Sequence, residues 1–435
     1  MRLPGGLWRH RDFVWLWSSQ TVSQFGSQIS QLALPLVAIL VLGESAFRVA
    51  LLGVVEFLPF LLLSLPAGVW VDRLRRRPIL VASDILRAVA LASIPIAYWL
   101  DSLTIWQLYA VGFVVGIGTV LFDVAYQSYL PALVAREELT EGNSKLEVSR
   151  SAAQLGGPGA AGLLIGILTA PVAVVADAIS FVVSALLIGR IRTFEPEPVV
   201  ENRRSLVSEL REGLSYVIRH PYIRGMAASV AIFNFFGNVG GAILLVYAVR
   251  ELGLTAAAIG LALALGNIGF LAGALLAKRV ESALGVGRTI VASMALSAPG
   301  MLLIPLAPRD FAVPFIVGSG LIVGFAVVLY NVTAISLMQA ITPDRLLGRM
   351  NASRRFLVWG VIPLGGLVGG ALASTVGLRP TLFVGAIGAS LAVLPLLFSP
   401  VRSLERVPEL EEPETSPPVG PPQSASSASA SNAQA

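Results

Sequence analysis

Apolar residues run through this chain in long blocks, and twelve of them reach the ~20 residues needed to cross a bilayer. The first six fall at 13–42, 47–71, 78–100, 104–130, 148–168 and 171–192. The second six fall at 224–250, 256–277, 287–307, 311–338, 355–376 and 379–398. Each is read as a transmembrane helix, because a helix satisfies its own backbone groups where no water can. A polar stretch separates the sixes, and beyond 398 the chain turns to Pro, Ser and Ala. The predicted fold class is therefore all-α membrane, with twelve transmembrane helices in two six-helix halves. The domain plan is 1–192 for the N-terminal half, 193–223 for a central cytoplasmic loop, 224–398 for the C-terminal half and 399–435 for a disordered cytoplasmic tail.

Composition agrees. The chain is 55% hydrophobic and 13% charged, with a mean hydropathy of +0.78; soluble domains carry about 25% charge. No single aqueous core could hide that much apolar surface, so the lipid bilayer is the expected solvent. The net charge of +5 and pI near 9.8 would suit nucleic acid. That partner is set aside, because the basic residues lie in short loops between spans and form no single patch. With the N-terminus inside, the odd-numbered loops hold only Arg48, Arg250, Arg309 and Arg379. Nearly all other cations fall in even-numbered loops and at the ends, including Arg73, Arg75, Arg76, Arg77, Arg203, Arg204, Arg345, Arg349, Arg354 and Arg355. The positive-inside rule then places both termini in the cytoplasm of a multi-pass membrane protein.

Several chemistries are excluded. Cys is absent, so no disulfide or thiolate metal site exists. His10 and His220 lie in polar flanks and form no metal or triad constellation. No phosphate-cradling Gly loop appears, so ATP is not the fuel. No nucleophile has a base beside it, so the chain is not read as an enzyme, and neither a cofactor nor a metal is expected. Arg2, Arg9 and Arg11 precede a span too long for a signal-peptide core, so no cleavage is expected.

The densest charge cluster is Gly68-Val69-Trp70-Val71-Asp72-Arg73-Leu74-Arg75-Arg76-Arg77, between the second and third spans. Gly68 leaves room for close helix approach, and Asp72 can cap or pair with a neighbouring helix end. The halves also repeat. Arg150 stands eight residues before Pro158, as Arg355 does before Pro363; Phe122-Asp123-Val124 aligns with Tyr330-Asn331-Val332, matching Asp123 to Asn331. Gly273-x-x-x-Ala277-Lys278-Arg279 is a faded copy of the charged loop. Chance similarity between apolar helices is the alternative to duplication.

The wording Gly-x-x-x-Asp-Arg-x-x-Arg-Arg resembles the signature loop of the major facilitator superfamily. Ser205-Leu206 through Gly213-Leu214-Ser215-Tyr216-Val217-Ile218-Arg219-His220-Pro221, with Ala176-Asp177-Ala178-Ile179-Ser180-Phe181, is similar to the branch containing enterobactin exporters and macrolide or multidrug efflux proteins. The resemblance covers about 8–400. It implies pseudo-symmetric halves, alternating access, and proton-driven export of drugs, macrolides or siderophore-like metabolites. It also implies that Gly68, Asp72, Arg73 and Arg76 form a conformational-switch loop. Within the fifth span, Gly156-Gly157-Pro158-Gly159-Ala160-Ala161-Gly162 resembles the exporter Gly-Pro motif, although Ala153 and Ala161 stand where Gly is preferred. Gly157, Pro158 and Gly162 are gate candidates; ordinary small-residue packing is the other reading. Two positions depart from the pattern: Gly112 stands where many drug antiporters carry an Arg ahead of Gly116-Ile117-Gly118, and Arg75 replaces a usual Gly.

Ionisable groups in hydrocarbon are expensive and therefore functional suspects. Asp84 and Arg87, three apart, share a helix face and can neutralise each other; Asp177 can bond a neighbouring helix. Glu56 has no basic partner in its own helix, so it is the first proton-coupling candidate, with Asp123 second; either could instead be a buried polar tie. Gln20, Gln24, Ser27, Gln28 and Gln31 form a polar stripe on the first span. Of these, Gln24, Gln28 and Gln31 join Asn234, Asn238, Tyr330 and Asn331 as substrate-binding candidates, since the first, fourth, seventh and tenth helices surround the cavity in the superfamily. Amides and aromatics suit an amphipathic ligand; the same amides also glue helices together. In the central loop, Leu206, Leu210, Leu214 and Val217 make the apolar face of an amphipathic helix capped by Ser205 and expected on the membrane surface. The expected partners are a small-molecule substrate, protons and lipid, and the chain is expected to be a monomer. A proton-linked nutrient importer and a non-transporting membrane sensor are the rival readings.

Overall fold

The computed structural model describes residues 6–193 and 206–406, apart from the side chains of Leu65, Val69, Asp72, 206–210, Asp344 and Arg345. Twelve helical spans are long and apolar enough to cross a membrane. The first six are Arg11–Leu36 with a π-helical turn Val37–Val41, Ala46–Arg73, Arg76–Trp99, Ile105–Leu133, Leu139–Leu168 and Ala170–Gly189. The last six are Pro221–Gly241 with Leu244–Arg250, Ala256–Gly266 with Ile268–Leu284, Val286–Leu306, Ala312–Ile341, Asp344–Val376, and Leu378–Ser390 continuing to Leu397. An even number of crossings brings the two described ends to the same face, called here the terminal end. At the opposite, far end, hydroxyls of Ser45, Thr104 and Thr255 accept from the amides of Arg48, Gln107 and Ala258, capping the second, fourth and eighth spans. Gly43 and Gly253, with φ of 66° and 68°, turn the chain after the first and seventh spans, where only Gly escapes a Cβ penalty.

Two helices start well before the apolar runs that announced them. The fifth begins at Leu139 rather than 148, and the eleventh at Asp344 rather than 355. Their added turns are mostly polar in sequence, with only a few apolar residues such as Leu146 and Met350 buried in the terminal-end clusters, so hydropathy passed over them. Arg354 and Arg355, expected in a loop, therefore stand inside a helix.

The first six spans pack among themselves, as do the last six; the fifth also packs on the eighth and the second on the eleventh. One hydrophobic core joins both groups at the far end, from Leu36, Leu52 and Ile165 to Val246 and Ile259. At the terminal end that core divides. One cluster, with Phe13, Tyr129 and Ile188, belongs to the first six spans, and another, with Met226, Leu337 and Met350, to the last six. The second and eleventh spans show the divergence directly. A Cβ on Gly370 would lie 2.9 Å from Ala50 and one on Gly366 3.2 Å from Val54, whereas one on Gly360 comes only within 3.9 Å of Leu61. Nearer the termini, Gly68 and Gly348 face open space. Gly68 thus does not make the close helix approach its sequence suggested, because the two bundles splay apart at its level.

The linker helix Leu206–Arg219 packs on the eleventh span rather than lying free on a membrane surface. Val217 is buried in the terminal-end cluster of the last six spans. Tyr216 Oη donates to the Ile341 carbonyl at 3.3 Å, and Arg349 donates to Glu212 at 2.6 Å. The long eleventh helix offers an apolar ledge that the linker's own apolar face covers. The expected Ser205 cap and the tail beyond Arg406 lie outside the described residues. The tail itself begins later than predicted: Pro400–Ser403 form a 3-10 turn, and Gly287 N donates to the Leu404 carbonyl at 2.8 Å.

Candidate functional site

The divergence leaves a cleft between the bundles, closed at the far end and open towards the termini. Small residues make the closure possible. A Cβ on Gly162 of the fifth span would lie 2.6 Å from the Ala256 carbonyl oxygen and 2.8 Å from Gly260 Cα of the eighth. A side chain on Gly157 would collide with Gln28 of the first span, so Gly157 and Gly162 pack on opposite sides of the helix. The helix runs unbroken through Pro158, whose carbonyl lies against Gly260. Asn267, at the break in the eighth span, donates to the Gln154 carbonyl at 2.6 Å and ties the two groups together. That residue was missed, although an Asn inside an apolar run was the available signal. Arg250 reaches across to the Glu44 carbonyl at 2.5 Å, and Arg379 donates to the Ala307 carbonyl at 3.0 Å. These few far-end cations serve as structural ties.

The first group's wall concentrates the acids. Glu56 points at the fourth span, where a Cβ on Gly112 would lie 2.8 Å from its Cγ. The absent side chain at Gly112 is what makes room for the acid. Glu56 Oε1 is buried and has no hydrogen-bond partner among the described residues. Deeper in the bundle Asp84 is paired to Arg87, whose guanidinium also lies over the rings of Phe181 and Phe122, at 4.0 and 4.6 Å. Asp177 accepts from Ser180 at 3.0 Å, and both Asp177 and Asp123 feel the same Arg87 charge. Arg87 is ion-paired to Asp84 alone, and Asp123 and Asp177 lie only within longer electrostatic reach of it. Helical spacing in the sequence showed the first relation but not the other two.

Asp123 is exposed, and Arg150 of the fifth span lies within electrostatic reach of it. Arg150 lines a cavity of about 910 Å³ with Gln24, Tyr126, Asn143 and Glu147. Gln31 is exposed, and the stem of the half-buried Gln28 packs against Gly157. In the charged loop, Arg77 donates to the Ile188 carbonyl at 3.3 Å and to that of Gly189, so it caps the sixth helix. Arg73 is exposed and Arg76 half-buried; the Asp72 side chain lies outside the described residues.

The opposite wall has a different chemistry. A cavity of about 350 Å³ enters between the seventh, ninth, tenth and eleventh spans, lined by Phe233, Asn234, Tyr330, Asn331, Arg354, Arg355 and Trp359 among others. Asn331 is exposed there. Tyr330 Oη donates to the Met226 carbonyl at 3.1 Å, Asn234 to the Val358 carbonyl at 2.9 Å, and Asn238 to the Asn234 carbonyl at 2.8 Å. The Tyr330 hydroxyl and both asparagine amides thus tie backbone, leaving Asn331 as the unencumbered amide of the set. The sequence reading overlooked Arg354 and Arg355 as lining residues because it assigned them to a loop.

Twelve membrane helices enclosing a polar cleft define a membrane transporter of the major facilitator type. The chain belongs to the family described as transmembrane secretion effector, which matches residues 6–421. Macrolide efflux protein A of Streptococcus pyogenes is 26% identical over 207 residues, 47% of this chain and 50% of that one; the chain thus spans half the length of that relative. The multidrug efflux pump Tap of Mycolicibacterium fortuitum is 26% identical over 373 residues, covering 82% of this chain and 88% of the pump. Among solved structures, a bacterial homologue of the iron transporter ferroportin in its inward-facing state matches with a TM-score of 0.72 at 18% identity, covering 89% of this chain and 98% of that one. An outward-facing structure so described gives 0.58. Likeness at that identity establishes the fold alone.

Proposed function

We propose that this chain is a secondary active transporter of the bacterial inner membrane that exports amphipathic small molecules in exchange for protons. Both termini are cytoplasmic, the chain acts as a monomer, and the cleft opens alternately to either side. The observation that carries the reading is the placement of Glu56, a carboxylate sunk in the bundle with an unpartnered oxygen, in the space that Gly112 vacates. A membrane-embedded acid without a cation is neutral at rest, and a change in its exposure suffices to load or release a proton. Asp123, exposed and within electrostatic reach of Arg87 and Arg150, is the second coupling candidate. The Gly157–Gly162 packing and the loop of Gly68, Asp72, Arg73 and Arg76 serve the switch. Efflux relatives and a far-end closure built on glycines favour export.

The test is accumulation of a panel of fluorescent amphipathic compounds, anionic, neutral and cationic, in cells, with an imposed pH gradient and with a protonophore. Wild-type chain is expected to lower accumulation only while the gradient stands. Glu56→Gln is expected to reach the membrane in normal amount and lose the effect. Gradient-driven efflux by Glu56→Gln at the wild-type rate would overturn the coupling role.

A further inference from the structure

The two cleft walls differ in charge in a way the sequence repeat makes interpretable. In the first half the cleft arginine, Arg150, has an acid within electrostatic reach, Asp123, and Glu147 lines the same cavity. The repeat matches Arg150 to Arg355 and Asp123 to Asn331. The second half therefore keeps the cation and replaces its acid by a neutral amide. It also adds a second cation, Arg354, which lines the cavity beside the Tyr330 phenol and the like charge of Arg355. Arg354 Nε is buried without a hydrogen-bond partner among the described residues, and no Asp or Glu lines this cavity. Arg355 lies over Trp359 at 5.1 Å, and Phe57 of the second span meets that same indole edge-on at 6.4 Å.

Two guanidinium groups lining one partly buried cavity that holds no acid are costly unless something anionic visits them. The aromatic rims supply a flat apolar surface, and a guanidinium fork suits a carboxylate better than any neutral group. We propose that the cavity between the seventh, tenth and eleventh spans binds the acidic group of an amphipathic aromatic substrate, with Arg354 and Arg355 as its counter-charges and Trp359 stacking on its ring. The proposal rests on the transport reading and narrows its substrate to acids. A lipid headgroup offers the same anionic chemistry, so the experiment separates the two sources.

The probes are 2-naphthoate and its neutral counterpart 2-naphthamide, measured by equilibrium dialysis against the full chain in phosphatidylcholine nanodiscs. The naphthoate is expected to bind at least about tenfold more tightly, as one charge-assisted fork requires. Arg354→Gln and Arg355→Gln are each expected to cut that preference to about threefold or less, and Arg355→Lys to keep more of it than Arg355→Gln does. Equal binding of the two probes, or a preference that survives both glutamine variants, overturns the assignment. If added phosphatidylglycerol abolishes the naphthoate preference, the anion recognised is a lipid headgroup, and the substrate assignment falls. Dialysis uses no gradient, so failure of proton coupling leaves this result untouched, and the reverse also holds.

Discussion

The closure at the far end can be broken by one methyl group. In Gly162→Ala the new Cβ would lie 2.6 Å from the Ala256 carbonyl oxygen, 2.8 Å from Gly260 Cα and 3.2 Å from Gly260 N. All three are backbone atoms of the eighth span, so no side chain can rotate away. Overpacking of this kind costs about 1–3 kcal/mol, and only the conformer with the far end shut bears it. The equilibrium should therefore move towards the far-open form by about 5- to 150-fold. Alanine also favours a helix over glycine, by roughly 0.5–1 kcal/mol. That gain is common to both conformers and cancels. Gly156→Ala is the control, since a Cβ there meets nothing within 4 Å. The chain has no Cys, so spin labels can be placed at will. A pair at Ser102 and Asp310 reports the far end, and one at Glu137 and Ser282 the terminal end, all four being exposed. Gly162→Ala should lengthen the first distance and shorten the second, while Gly156→Ala leaves both. Identical distance distributions for the two variants would refute the argument that this packing holds the cleft shut.

Removing the buried cation should strand its partner. Arg87→Met leaves Asp84 buried without its counter-charge, so a loss of about 3–5 kcal/mol in unfolding free energy is expected on SDS titration; a loss below about 1 kcal/mol would contradict the pairing. His220, half-buried between Tyr216 and Tyr222, has its pKa pushed below the ordinary 6.5 by burial. Packing then favours the neutral ring, so its contribution is complete above pH 6.5 and is lost as pH falls from there towards the lowered folded-state value. Limited proteolysis of the linker helix should accelerate between about pH 7.5 and 5.5, and His220→Gln should remove that dependence; an unchanged dependence in the variant would assign it elsewhere.

What the sequence made legible is what hydrocarbon selects for. Lipid-facing faces must be apolar over a fixed length, so the number, order and approximate limits of the spans could be read directly. Cleft-facing turns obey no such constraint. Leu139 to Glu147 and Asp344 to Arg354 are helical but polar, and a hydropathy reading assigns such turns to loops. The same ambiguity hid Arg354 and Arg355, because an arginine near a span boundary reads equally as a topology signal and as a cavity wall. Glu56 was legible as an acid out of place, yet its neighbour Gly112 registered only as a missing arginine. That the two are one feature, an acid occupying the volume of an absent side chain, depends on the distance between helices. Arg87 illustrates the same limit: its partner three residues away could be read from helical spacing, but Asp123 and Asp177 come from other spans.

The two walls together suggest how the first six and last six spans divide the work of the proposed exchange. Glu56, Asp84, Asp123 and Asp177 all stand in the first six spans, whereas the cavity of the last six is lined by arginines and no acid. An Asp at position 331 would have put an acid into the cavity that Arg354 and Arg355 line, leaving less positive charge there for a ligand's anion. If a proton and an acid are exchanged as proposed, holding them on separate walls of one cleft keeps the proton from neutralising the substrate and riding with it. An amide at 331, where position 123 carries an acid, supports that separation.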